Sequence, residues 1–178
     1  MTLNELKEFK KAKDCYEKAI EIKPNYAAAH NSFGNVLKKL GEHQKAIKHF
    51  QKAIQIKPNF VESYNNLGLV FDELGEHKKA IDCYKKAIEI NPNHPGTYWN
   101  LHSSASDIDE ALTILRKLYD IDNQFTKAKI MISALKVFKG NSKDFNDLVS
   151  SVDSNHPYTR SIKWVFSLPK PPKIFFNR

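Results

Sequence analysis

The sequence offers little from which an active site is built. It contains six glycines, and four of them, Gly34, Gly41, Gly68 and Gly75, are tied to a repeating position, so no glycine-rich phosphate loop can be assembled. Neither H-E-x-x-H nor G-x-S-x-G occurs. No stretch approaches the roughly 18 apolar residues needed to cross a bilayer. Met1 to Lys13 is charged and amphipathic, unlike a signal peptide. These absences argue for a cytoplasmic, non-catalytic protein that needs no cofactor and no metal.

What the sequence does contain is a period of thirty-four residues. Phe33-Gly34 aligns with Leu67-Gly68, Leu40-Gly41-Glu42-His43 with Leu74-Gly75-Glu76-His77, and Lys45-Ala46-Ile47 with Lys79-Ala80-Ile81. Lys52-Ala53-Ile54 returns as Lys86-Ala87-Ile88, and Pro-Asn recurs at Pro24, Pro58 and Pro92. A fixed period of this length marks a stacked repeat array. Within one unit, Tyr64, Leu67, Phe71 and Leu74 form one helical apolar stripe, and Ala80, Ile81, Tyr84, Ala87 and Ile88 form a second. Gly75 ends the first helix and Pro92 the second, so each unit is a helical hairpin. Gly68, Ala80 and Ala87 mark where the two helices approach too closely for a bulky side chain. Cys15 and Cys83 occupy equivalent places two repeats apart, with His49 between them. They are expected to lie beyond the ~7 Å reach of a disulfide and to stay reduced.

These residues resemble the tetratricopeptide repeat family, whose first aromatic position holds His30, Tyr64 and Tyr98 here, and whose glycine is Gly34, Gly68 and then His102. The resemblance implies an all-α fold, a right-handed superhelical array of antiparallel helix pairs. The asparagine-rich first helices look most like the repeats preceding O-linked sugar transferases. On this reading residues 1–125 are the array: a partial repeat 1–26, full repeats 27–60 and 61–94, and a degenerate repeat 95–125. In the partial repeat, Leu3 and Leu6 are the remnant of a first helix, and Ala12, Tyr16, Ala19 and Ile20 belong to the second. One apolar flank there should lie open, which suits edge-to-edge self-association. In the degenerate repeat, Ser103 to Asp107 interrupts the pattern and Asp109 restarts it. Residues 126–168 read as a divergent helical hairpin plus a capping helix, which a stacked array needs at its end. Residues 169–178 read as a proline-rich basic tail or linker.

Charge separates these regions. From Thr126 to Arg178 ten Lys and Arg face three Asp, giving +7 of the total +8. The tail therefore suggests nucleic-acid or anionic-surface binding as one alternative, weakened because lysines on capping helices commonly only solvate them. With Trp164, Phe166, Phe175 and Phe176 the tail also resembles a junction to a methyltransferase-like domain. A recruitment domain of a larger methyl- or glycosyltransferase is thus a second alternative.

The candidate site is what remains on the first helices once the core stripe is removed: Asn31, Ser32, Asn35, Lys38 and Lys39, then Asn65, Asn66, Leu69, Asp72 and Glu73, then Trp99 and Asn100. In the family resembled, this face lines a concave groove and asparagines hold the backbone of an extended peptide. Asn66 and Asn100 match that ladder and Ser32 interrupts it. A primary amide provides donors and an acceptor, which suits main-chain groups of any sequence. Asn31, Gly96 and Asn100 stand where some relatives place cations for a terminal carboxylate, which argues against that mode. The expected partner is a protein or peptide. His43 and His77, at the starts of second helices, are explained by packing or capping, and His30 by half-buried packing.

Overall fold

The computed structural model describes residues 3–138, and every regular element in that span is a helix. The elements are α1 (Leu3–Ile22), α2 (Ala27–Lys39), α3 (His43–Ile56), α4 (Val61–Glu73), α5 (His77–Ile90), α6 (Pro95–His102), α7 (Ile108–Ile121) and α8 (Thr126–Phe138). They divide into two compact units, Met1–Ser104 and Ala105–Arg178. The boundary falls inside the degenerate repeat, so α6 belongs to the first unit and α7 pairs with α8 in the second. Of residues 126–168 only α8 is described. The expected partner helix, the capping helix and the tail 169–178 lie outside the described residues.

In the first unit α2 packs on α3 and α4 on α5, and α3 and α4 join one pair to the next. The reason these hairpins close is steric. A Cβ on Gly34 would sit 2.6 Å from the Phe50 ring, and one on Gly68 would sit 2.5 Å from the Tyr84 ring. Each glycine is therefore the floor on which a large ring of the second helix lies, and both rings are fully buried. Ala46, Ala53, Ala80 and Ala87 are likewise at 0% exposure, so on either side of each ring the second helix presents small methyl groups that keep the pair close. Phe33, Leu37, Leu67, Val70 and Phe71 fill the space between, with Tyr16 and Ile20 of α1 against them.

Gly41 and Gly75 end α2 and α4 with φ of 75° and 76°. This left-handed geometry lets Glu42 N–H reach the Leu37 carbonyl at 2.9 Å and Glu76 N–H reach the Phe71 carbonyl at 2.8 Å, which satisfies carbonyls the helix end would otherwise orphan. Leu74, expected in the apolar stripe, is 36% exposed because it is the residue on which α4 turns away from the core.

The first helix differs from its expectation. Residues 3–22 form one unbroken helix rather than a remnant followed by a second helix, and no Gly or Pro stands between Leu6 and Ala12 to divide it. Ala12, Tyr16, Ala19 and Ile20 are half-buried, while Ile22 at the end of the helix is 86% exposed and Tyr26 in the following turn 49%. Lys13 reaches Glu42 Oε1 at 2.8 Å, tying α1 to the turn between α2 and α3.

Beyond α6 the chain turns through Ser103–Asp107. Asp107 accepts the Glu110 N–H at 2.8 Å, and Glu110 Oε2 accepts the Ser106 N–H at 2.7 Å. This reciprocal cap restarts the helix. Leu115 and Leu118 of α7 and Ala128 of α8 are each at 0% exposure, so Leu118, which stands where the earlier repeats use alanine, is a core residue of this pair.

Candidate peptide-binding face

The candidate residues arise from three helices of the first unit. Asn31, Ser32, Asn35 and Lys38 of α2 are half-buried and Lys39 is exposed. Asn65, Asn66, Leu69 and Asp72 of α4 are half-buried and Glu73 is exposed; Trp99 and Asn100 of α6 are half-buried. Contacts between α2 and α4 and between α4 and α6 make this one continuous face.

Two of the expected rows meet through side chains. Asn66 Nδ2 donates to Asn31 Oδ1 at 3.1 Å, and Asn100 Nδ2 donates to Asn65 Oδ1 at 3.0 Å. Asn31 Oδ1 also accepts from Ser63 Oγ at 3.0 Å, which gives the fully buried Ser63 its partner. The asparagines are thus linked from repeat to repeat. Ser32, Asn35, Lys39 and Leu69 share the face and take no part in these pairs. Trp99 lies against the His102 ring with centroids 4.5 Å apart, and His102 Nδ1 meets the Trp99 carbonyl.

The charged residues at the far end of the face are organised differently. Asp72 Oδ2 accepts from Tyr84 OH at 2.8 Å, and Asp72 Oδ1 meets His77 Nδ1 at 3.1 Å and Ser104 Oγ at 3.3 Å. Burial first, and then the bond to Asp72, push the Tyr84 phenol far above its ordinary range, so it remains a neutral donor. Asp72 therefore serves the fold before it serves a ligand. Lys38 Nζ lies 3.9 Å from Glu73 Oε1, and desolvation lowers the lysine's pKa while Glu73 opposes that shift. His43 Nδ1, closed off from solvent, meets Glu73 Oε2 at 3.4 Å without a hydrogen bond.

His30 is more deeply placed than half-buried, at 5% exposure. Its Nε2 lies 2.9 Å from the Pro24 carbonyl and its Nδ1 lies 3.0 Å from His49 Nδ1. A carbonyl can only accept, so neutral His30 carries its proton on Nε2 and receives one from His49. Desolvation, with a smaller contribution from His30, lowers the His49 pKa to about 4. Cys15 and Cys83 are both free; burial raises the Cys83 thiol to about 11. Among the described residues no group of three or more His, Cys, Asp or Glu is gathered to hold a metal, and no helix is long and apolar enough to cross a membrane.

The sequence contains the asparagines but does not announce their pairing. Both pairs are separated by thirty-five residues, one repeat plus one, so an offset search one residue wider than the period could have found them. The partners of Asp72 come from α5 and from beyond α6, and no local pattern announces them.

Comparison with known proteins agrees with this architecture. Residues 61–94 match the tetratricopeptide repeat profile, and residues 2–41 and 34–75 match a second profile, described as a TPR repeat. No curated protein sequence matches significantly. Among solved structures, that of YrrB, described as a TPR protein with an unusual peptide-binding site, has a TM-score of 0.67 at 21% identity, covering 91% of this protein and 87% of its own length. MamA gives 0.70 at 20% identity, with 94% and 98% covered. TTC0263, a thermophilic TPR protein of Thermus thermophilus, gives 0.68 at 15% identity, with 93% and 92% covered. At these identities the likeness is one of fold.

Proposed function

This chain belongs to the tetratricopeptide repeat family, and from that membership we propose that it is a non-catalytic scaffold whose α2–α4–α6 face binds an extended segment of a protein partner. The observation that carries the reading is the linking of Asn31 to Asn66 and of Asn65 to Asn100. Amides held by neighbours are fixed in orientation before a ligand arrives, so less side-chain entropy is lost on binding. Their remaining donors and acceptors suit a backbone rather than a particular side chain. The charges beyond them give the groove mixed sign, with Lys38 and Lys39 on one repeat and Asp72 and Glu73 on the next.

Affinity selection with the purified protein is expected to recover peptides. Asn66→Ala combined with Asn100→Ala should weaken them by about 1 kcal/mol or more per buried bond lost. Unchanged affinity in a folded double variant would remove this face from the account.

The exposed Ile22 and Tyr26 support edge-to-edge self-association as a further property of the scaffold. Sedimentation at rising concentration should show a dimer that Ile22→Glu abolishes; a monomer throughout would end that reading. Recruitment of a transferase domain and binding of nucleic acid or an anionic surface rest largely on residues beyond the described span, and the geometry of residues 3–138 adds no support to either.

A further inference from the structure

The reading of the face as a peptide groove leaves open which backbone conformation it takes, and the amide pairs bear on that choice. Asn66 and Asn100 each give one N–H to a neighbouring asparagine. Each keeps one N–H and its Oδ1, which is the set that holds one backbone carbonyl and one backbone N–H of a ligand. Asn31 and Asn65 prevent these amides from rotating, because rotation would forfeit the bond between helices. The face therefore carries two oriented amides of the same kind, one on α4 and one on α6.

The distance between them is set by helix packing. Adjacent packed helices lie about 8–10 Å apart, and α4 and α6 are such neighbours. A β-strand returns the same side every second residue, about 6.6 Å along its axis, which falls short. Four residues of strand overshoot, at about 13 Å. A polyproline II segment returns the same side every third residue, about 9 Å along, and its N–H and carbonyl groups have no partners of their own.

Resting on the groove reading, we propose that the paired amides Asn31–Asn66 and Asn65–Asn100 select a polyproline II segment, with backbone groups three residues apart held by Asn66 and Asn100. Asn31 and Asn65 are positioning residues. Proline is admitted between the two held residues and excluded at them, because each must supply an N–H.

The test uses the full-length protein and peptides selected from a random display library. Each selected peptide is resynthesised with single backbone N-methyl groups moved along it, and affinity is read by fluorescence anisotropy. The expected result is roughly tenfold loss at two positions three residues apart, abolished as a pattern in the Asn66→Ala, Asn100→Ala double variant. Asn31→Ala should weaken binding by a similar factor. It should also shift the Asn66 amide NH2 resonances in the free protein, which a merely packing role for Asn31 would leave in place. Sensitivity at every second position, or at none, in peptides that still depend on Asn66 and Asn100 would overturn the polyproline II inference while the groove reading stands. Failure to select any peptide, or peptides indifferent to both asparagines, would overturn the groove reading and this inference with it.

Discussion

Repeats 27–60 and 61–94 share the residues that set the distance between their helices and differ in the polar groups they bury. Gly34 and Gly68, Ala46 and Ala80, Ala53 and Ala87, and Gly41 and Gly75 correspond one to one. Around them, the ring above the glycine is Phe50 in one repeat and Tyr84 in the other. The residue near the end of the inner helix is Lys38 in one and Asp72 in the other. The first repeat buries His30 against His49, and the same two positions in the second are Tyr64 and Cys83. Steric positions are thus fixed one at a time, whereas buried polar atoms come in sets: a phenol brings a carboxylate, and an imidazole brings another imidazole. The physical reason is that a methyl group excluded from water needs only space, while a hydroxyl excluded from water needs a partner.

The largest effect should come from disturbing what the repeats share. Gly68→Ala places a carbon 2.5 Å from the Tyr84 ring, and Gly34→Ala one 2.6 Å from Phe50. Both rings are fully buried and would have to shift against their neighbours, so each variant should lose about 3 kcal/mol. Gly68→Ala should lose somewhat more, because shifting Tyr84 also strains its bond to Asp72. Urea titration of the two variants measures both losses, and equal, small values would show that the rings yield easily.

A smaller effect should separate the repeats. Asp72→Ala leaves the Tyr84 hydroxyl buried without its acceptor and should cost about 2 kcal/mol. Adding Tyr84→Phe removes the orphaned hydroxyl and recreates the ring of the first repeat, so stability should return most of the way. A double variant no better than Asp72→Ala alone would mean that Asp72 acts mainly through His77 and Ser104.

The smallest effect should come from acid, and in the first repeat alone. The folded His49 has its pKa lowered to about 4 from 6.5, so the folded state favours the neutral ring. Its contribution is full above pH 6.5 and is lost as pH falls towards about 4, the direction expected when the unfolded chain binds more protons. Because the ring is half-exposed and partly screened, the loss should be roughly 1–2 kcal/mol. The groups facing it are His30 and, across the ring, Phe33 at 4.4 Å, neither of which adds a negative charge. The corresponding Cys83 thiol, raised to about 11, stays neutral throughout. Hydrogen exchange followed by segment should show residues 27–60 loosening before 61–94 in this pH window, and His49→Gln should remove the difference.

The same contrast explains what can be read in advance. The hairpins, the close approach at Gly68 and the stop at Gly75 are legible in the sequence because each depends on spacing along the chain and on the size of one residue. The rows of asparagines are legible as rows. Their cross-links, the three partners of Asp72 and the pairing of His30 with His49 are not, since each depends on how two helices are placed side by side. The single helix over residues 3–22 reads as two from sequence because the family's period suggests a division that no breaker residue makes.

α7 differs from α2 to α6 in how it begins. The helices α2 to α6 start at Tyr26, Glu42, Phe60, Glu76 and His94, none of which caps through its side chain. α7 alone among these has its start written locally, by Asp107 and Glu110. Initiating a helix is the slow, unfavourable step, with a nucleation constant on the order of 10⁻³. A local cap lowers that barrier without waiting for a neighbour, and α7 and α8 are adjacent in the chain, so little loop entropy opposes their pairing. During folding, α7 and α8 can therefore serve as a second nucleus, forming on their own schedule while the helices of repeats 27–60 and 61–94 wait for one another.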